Sequence, residues 1–330
     1  MMQGRLMAAM LLAVVLWGGS ALAATPLKVV TSFSILGDMV ANVGGDKIEV
    51  ITLVGPDGDA HVYEPSPADA KKVSSANLVV VNGLGFEGWL ERLVKASGYK
   101  GKIVVVSEGV KPRAMGKADH AEEEAKGHAK EHHDAKGHDH EHGYNDAHHN
   151  SHDHGDVDPH AWQSLTNAKI YVKNIAKALA EVDPANASAY QQAEDAYLGE
   201  LEALDTWAKA QFAQIPEQKR RMITSHDAFG YLGETYGLQI LAPMGVSTAS
   251  EPSAGGLKKL IEQINRENVT AVFVENISDP RLIEQIAKES KVRVEGELYS
   301  DALSSKDGSA PTYISMFRSN VGKIIAAMKQ

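Results

Sequence analysis

The chain has 330 residues, no cysteine and a formal net charge of −10 with its 14 histidines neutral. That length supports one large or two medium domains with real hydrophobic cores. The absence of thiols excludes disulfides, thiolate metal ligands, cysteine nucleophiles and a lipidated cysteine behind a leader, and the acidic balance argues against nucleic acid or anionic lipid as a partner.

Near the start, Arg5 precedes an apolar run over 6–17, then Gly18, Gly19 and Ser20 and the small-residue pattern Ala21-Leu22-Ala23. This is the anatomy of a secretory signal over 1–24, cleaved near Ala23 or Ala24, too short and too weakly flanked to span a bilayer. The expected product is a periplasmic protein that is not a lipoprotein.

Strand-like runs over 28–33, 48–53, 78–82 and 103–107 then alternate with helix-like runs over 36–43, 68–75 and from near Glu87. The segment over 117–156 breaks this order. It is rich in His, Asp, Glu, Gly and Ala and nearly empty of aliphatic side chains, so it cannot bury enough surface to offset chain entropy and reads as a disordered His-rich loop. A helix is expected to start near Ser164. Residues 187–214 carry Tyr190, Ala193, Tyr197, Leu201, Leu204 and Ala208 at helical spacing, without proline, between Asp183-Pro184 and Ile215-Pro216. This predicts one long rigid helix of about 40 Å. Further strands over 222–225, 238–242, 271–275 and 292–295 follow, with helices near Phe229, Leu257, Leu282 and Ile324. The fold class predicted is α/β, with parallel sheets in two lobes over 25–186 and 215–330 joined by the long helix.

Eleven histidines fall in the polar loop: His120, His128, His132, His133, His138, His140, His142, His148, His149, His152 and His154. Three lie outside it. His61 follows a strand, His226 comes directly after the strand ending Thr224-Ser225, and His160 closes the Gly/Asp-rich exit of the loop. Asp301 follows another strand. Ligands of parallel sheets bind beyond the carboxyl ends of strands, so these four can converge in the cleft between the lobes. Three imidazoles and one carboxylate satisfy a tetrahedral Zn²⁺ shell without thiolates. Spacing adds no support of its own, because the four are tens of residues apart.

The segments His61-Val62-Tyr63-Glu64-Pro65-Ser66-Pro67-Ala68-Asp69, Gly85-Phe86-Glu87-Gly88-Trp89-Leu90, Asp158-Pro159-His160-Ala161-Trp162, Ser225-His226-Asp227-Ala228-Phe229 and Tyr299-Ser300-Asp301 resemble the signatures of the cluster A-I (ZnuA-like and TroA-like) metal-binding proteins. These are solute-binding subunits of ABC importers for zinc and manganese. The resemblance spans the mature chain in order. It implies two α/β lobes joined by one long helix, a metal buried between them, and ligand positions at His61, His160, His226 and Asp301. Manganese-preferring relatives commonly have Glu at the third position, so His226 and the His-rich insertion resemble the zinc branch.

Glu64, Glu251 and Glu275 are candidates to orient a ligating imidazole by accepting its other N–H, as metal-bound histidines usually require. A capping or ion-pair role is the plain alternative for each. Trp89 and Trp162 read as packing residues. The function expected is capture of Zn²⁺ and delivery to the permease of an inner-membrane ABC importer by a monomer, with the loop histidines as auxiliary weak sites. The alternatives are Mn²⁺ preference, a periplasmic zinc buffer or chaperone, partnership with a zinc chaperone, and a secreted zinc hydrolase. A fourth protein ligand, Asp301, argues against the hydrolase by closing the position water would need.

Overall fold

The computed structural model describes residues 26–114, 157–267, 269 and 271–330. The signal expected over 1–24 and the His-rich loop over 117–156, with its eleven histidines, lie outside the described residues. The first lobe comprises β1 (Leu27–Phe33), α1 (Ser34–Gly44), β2 (Ile48–Val54), α2 (Pro67–Ser74), β3 (Leu78–Val81), α3 (Leu90–Ser97) and β4 (Lys102–Val105). Its strands pair in parallel in the order β2-β1-β3-β4. β3 reads Leu-Val-Val-Val and is buried throughout, as a parallel strand covered on both faces must be. Where α2 begins, Ser66 caps the helix in a reciprocal box with Asp69, and Pro67 occupies the first turn, where no N–H is needed.

An antiparallel pair, β5 (Arg113–Ala114) and β6 (Val157–Asp158), brackets the His-rich segment. α4 (Leu165–Val182) and α5 (Ala187–Phe212) follow. The second lobe then runs β7 (Arg221–Ile223), α6 (Gly230–Tyr236), β8 (Gln239–Leu241), α7 (Ala254–Glu267), β9 (Ala271–Glu275), α8 (Arg281–Ser290), β10 (Val294–Leu298) and α9 (Tyr313–Met328). Its parallel order is β10-β9-β7-β8. Both sheets share one topology: the opening strand is flanked by the second strand on one side and the third on the other. Each therefore has a switch point, between β1 and β3 and between β7 and β9, where a crevice opens beyond the carboxyl ends.

Two expected elements shift for identifiable reasons. The helix expected from near Glu87 starts at Leu90, because Gly83, Leu84 and Gly85 all have positive φ and form a tight turn. Glu87 accepts the backbone N–H of Asn82 at 2.7 Å and of Gly83 at 3.1 Å from inside that turn. The last strand lies at Val294–Leu298 instead of 292–295: Lys291 closes α8 with φ 57°, and a bulge between Val294 and Gly296 leaves Glu295 unpaired while Gly296, with φ 146°, resumes the pairing opposite Phe273 and carries the strand on to Leu298.

α5 has 26 residues, so it is about 39 Å long. It buries Tyr190, Tyr197, Leu201, Leu204, Ala208 and Phe212 along one stripe and packs against α1 and α4 as well as against α9. The main apolar core runs through both lobes along this helix, and a smaller one fills the space between β7, β9, α7 and α8. Among the described residues no helix is long and apolar enough to cross a membrane. Leu201 is fully buried. Leu201→Ala is expected to cost about 2–5 kcal/mol, and Glu200→Ala, exposed one residue earlier, under about 0.5 kcal/mol. Denaturant unfolding of the metal-free variants measures both.

Candidate metal centre

Each of the four sequence-selected residues sits on a turn between elements. His61 lies in the loop after β2, His160 directly after β6, His226 in the turn after β7, and Asp301 beyond β10. Their ligand atoms all lie within 4.8 Å of one another. His61 Nε2 is 3.2 Å from His160 Nε2 and 3.2 Å from Asp301 Oδ2, and His226 Nε2 is 3.2 Å from the same oxygen. A tetrahedral shell with bonds of about 2.0–2.1 Å has edges of about 3.3–3.4 Å, so these spacings suit a single small cation. Asp301 Oδ1 is buried without a hydrogen-bond partner among the described residues, which leaves it able to accept a cation. The side chains of His160, His226 and Asp301 are inaccessible to solvent, and His61 is only 5% exposed.

Carboxylates stand behind two of the rings. Asp158 Oδ1 accepts both the backbone N–H of His160 at 2.9 Å and its Nδ1–H at 2.8 Å, while Arg113 donates to Asp158 Oδ2 at 3.1 Å. Glu275, at the carboxyl end of β9, accepts the backbone N–H of His226 at 2.9 Å, and its other oxygen is 2.5 Å from His226 Nδ1, close but poorly aligned for a hydrogen bond. Nδ1 contacts of this kind turn Nε2 toward the centre. Phe86 packs edge-on to His61 with ring centroids 4.8 Å apart, and Trp162 lies 5.3 Å from His160. These rings exclude water and so strengthen the electrostatics inside.

The two tryptophans pack as expected and also pin backbone. Trp89 Nε1 donates to the carbonyl of Ala60, the residue before His61, at 2.8 Å. Trp162 Nε1 donates to the carbonyl of Ser300, the residue before Asp301, at 2.9 Å. Of the three glutamates proposed to orient a ligand, the structure brings only Glu275 to the site. Glu64 is exposed on a surface cavity beside α2 and α3, and Glu251 is exposed on a groove beside α6 and α7. Neither side chain is turned inward, since both belong to irregular segments with nearby solvent.

Sequence reasoning missed Asp59 and Asp158, although a signal for them exists. Asp59-Ala60-His61 and Asp158-Pro159-His160 repeat the pattern Asp-x-His, and in both the Asp Oδ1 accepts the His backbone N–H at 2.9 Å. Aspartate makes this short turn readily, and here it fixes the ligand two residues on.

Residues 29–327 match the family described as zinc-uptake complex component A, periplasmic (ZnuA). The metal ABC transporter substrate-binding lipoprotein FimA of Streptococcus parasanguinis is 34% identical over 95% of this chain and 93% of its own. The manganese-binding lipoprotein MntA of Halalkalibacterium halodurans is 31% identical over 92% and 89%. The solved structure of the periplasmic zinc-binding protein TroA from Treponema pallidum superposes with a TM-score of 0.77 at 26% identity, covering 92% of this chain and 99% of that one. FimA and MntA are named lipoproteins, which overturns the expectation that the exported chain is not one. That expectation rested on a cysteine count, which bears on a single attachment chemistry; the outward, periplasm-facing placement stands.

Protonation follows from the same contacts. In His61 burial prevails and lowers the ring below its ordinary value. Burial acts the same way on His160, but the carboxylates of Asp301 and Asp158 outweigh it and push the ring up to about 9. Glu275 and Asp301 likewise carry buried His226 well above the usual range, and the two imidazoliums hold Asp301 well below its own. A cation taking the Nε2 positions must therefore expel protons from His160 and His226. Affinity should rise with pH up to about 9, by up to about 100-fold per pH unit, a tenfold step for each proton. Chelator competition for Zn²⁺ at pH 6, 7 and 8 checks this, and an affinity that levels off at the ordinary histidine range, roughly pH 6.5, contradicts it.

Proposed function

We propose, for a chain that belongs to the ZnuA family of periplasmic metal-binding components of ABC importers, that its cargo is Zn²⁺ and that His61, His160, His226 and Asp301 form the whole coordination shell. As a substrate-binding member of an ABC importer it works with permease and ATPase components and is not an enzyme. The observation that carries the zinc reading is the donor set: three imidazole nitrogens and one carboxylate at tetrahedral-edge spacing in a buried pocket. Nitrogen-rich tetrahedral sites suit Zn²⁺, whereas Mn²⁺ favours oxygen donors and higher coordination, and at a given N/O site Mn²⁺ binds more weakly.

The second reading is Mn²⁺ cargo, favoured by MntA, a relative named as manganese-binding. In the same proposal, two lobes over 25–186 and 215–330, joined by the helix over 187–214, act as a monomer. The loop histidines hold further zinc weakly and raise its local concentration. A soluble zinc chaperone as donor, or a zinc-buffering role, would use the same four ligands.

Two measurements separate these readings. With both free metals held by buffers in excess of the protein, Zn²⁺ is expected to displace bound Mn²⁺ at equal free concentration, as the donor preference requires; if Mn²⁺ displaces Zn²⁺ at parity, the zinc assignment falls. Deleting 117–156 should lower zinc stoichiometry while leaving the tightest event intact, and adding His160→Ala and His226→Ala to that deletion should abolish it. Unchanged stoichiometry after deletion removes the loop from the account.

A further inference from the structure

The loop that carries His61 belongs to the first lobe by sequence and to the second by its hydrogen bonds. Asp57 N–H donates to the carbonyl of Leu303 at 2.9 Å, and Asn276 Nδ2 donates to Asp57 Oδ1 at 2.9 Å. Thr248 Oγ1 donates to Asp59 Oδ2 at 2.5 Å. The other oxygen of Asp59 is the one that accepts the His61 backbone N–H. Asp59 therefore reads the second lobe with one oxygen and holds a ligand with the other.

Thr248 lies between β8 and α7, in a segment already tied to another ligand. Met244 forms a parallel β-bridge with His226, and Asp227 N–H donates to the Gly245 carbonyl at 3.1 Å. Three residues separate Met244 from Thr248, so a short strap connects the turn bearing His226 to the loop bearing His61. His61 is also the ring with the least support of its own. His160 and His226 each have a carboxylate at Nδ1, and among the described residues His61 Nδ1 has none. Its placement rests on its backbone, on the edge contact with Phe86 and on Asp59.

We propose that Thr248 is a positioning residue for the bound cation: the strap over 244–248 fixes His61 through Asp59 and thereby sets how long the metal is retained. This rests on the reading that His61 is a ligand. The hydroxyl of Thr248 is the only part of the side chain that Asp59 uses, so the role can be removed with little change in volume. Partners one shell behind a ligand typically change metal affinity by about 10–100-fold when lost.

The test is zinc dissociation from the full chain, followed by stopped flow into excess chelator, with metal-free thermal unfolding beside it. Thr248→Val and Thr248→Ala should release zinc about tenfold faster than the parent, and Thr248→Ser should restore the parental rate. The metal-free unfolding midpoint should fall by no more than about 4 °C in Thr248→Val and Thr248→Ala, the cost of one lost hydrogen bond, whereas a threonine with a merely structural role would lower the midpoint without changing zinc release. Release within twofold of the parent for both hydroxyl-free variants, or no rescue by serine, overturns the strap while leaving the four-ligand site in place. A parent protein that retains no zinc overturns the ligand reading and the strap together.

Discussion

Everything in this structure serves to keep three imidazole nitrogens and one carboxylate within 4.8 Å of one another in a buried space. Such a convergence does not form for its own sake. Neutral rings turn lone pairs toward each other, charged rings repel, and burial penalises either arrangement. Asp301, Asp158 and Glu275 offset that cost with negative charge, which protons on His160 and His226 neutralise when no cation does. A divalent cation replaces those two protons charge for charge.

The fold meets this requirement by spreading it over rigid elements. His226 and Glu275 stand at the carboxyl ends of β7 and β9, the neighbouring strands that make the switch point of the second sheet. At the corresponding place in the first sheet, Ser32 and Asn82 at the ends of β1 and β3 bind the buried carboxylate of Glu87. Asn82 in turn donates to the Pro159 carbonyl at 2.9 Å, and Tyr171 donates to Asn82 Oδ1 at 2.5 Å, so the first lobe holds the residue before His160. The two crevices thus do related work: one supports a ligand ring directly and the other supports a ligand's backbone.

Much of this was legible in the residues. The alternation of apolar strands and amphipathic helices yields both sheets, and the stripe from Tyr190 to Ala208 yields α5, because burial on a regular element leaves a period. His61, His160 and His226 stand out because the other histidines collect in one polar segment, and Asp301 because it follows a strand within a matched segment. Geometry-dependent features were not legible. The bulge at Glu295, past which β10 continues to Leu298, left no such period. Glu64 sits inside a matched motif yet faces solvent, whereas Asp59 and Asp158 sit beside two ligands in a repeated pattern too short to stand out without coordinates. Nothing in the sequence says which carboxylate faces inward when backbone path decides it.

The arrangement of contacts also ranks the ways a closed pocket can open. α5 packs against α1 and α4 of the first lobe and against α9 of the second, so swinging the lobes apart must strip part of its apolar stripe, at about 1.5–3 kcal/mol for each large side chain exposed. The His61 loop is held to the second lobe by hydrogen bonds from Asp57, Asn276 and Thr248, each worth about 0.5–1.5 kcal/mol net and replaceable by water. Shifting that loop is therefore less costly than hinging the lobes. It also uncovers the ligand whose side chain already reaches solvent and whose ring lacks a carboxylate behind it, while His160, His226 and Asp301 remain gripped by their neighbours. On this ranking the His61 loop is the part of the pocket that costs least to move, and the lobes with α5 form the stiffer frame.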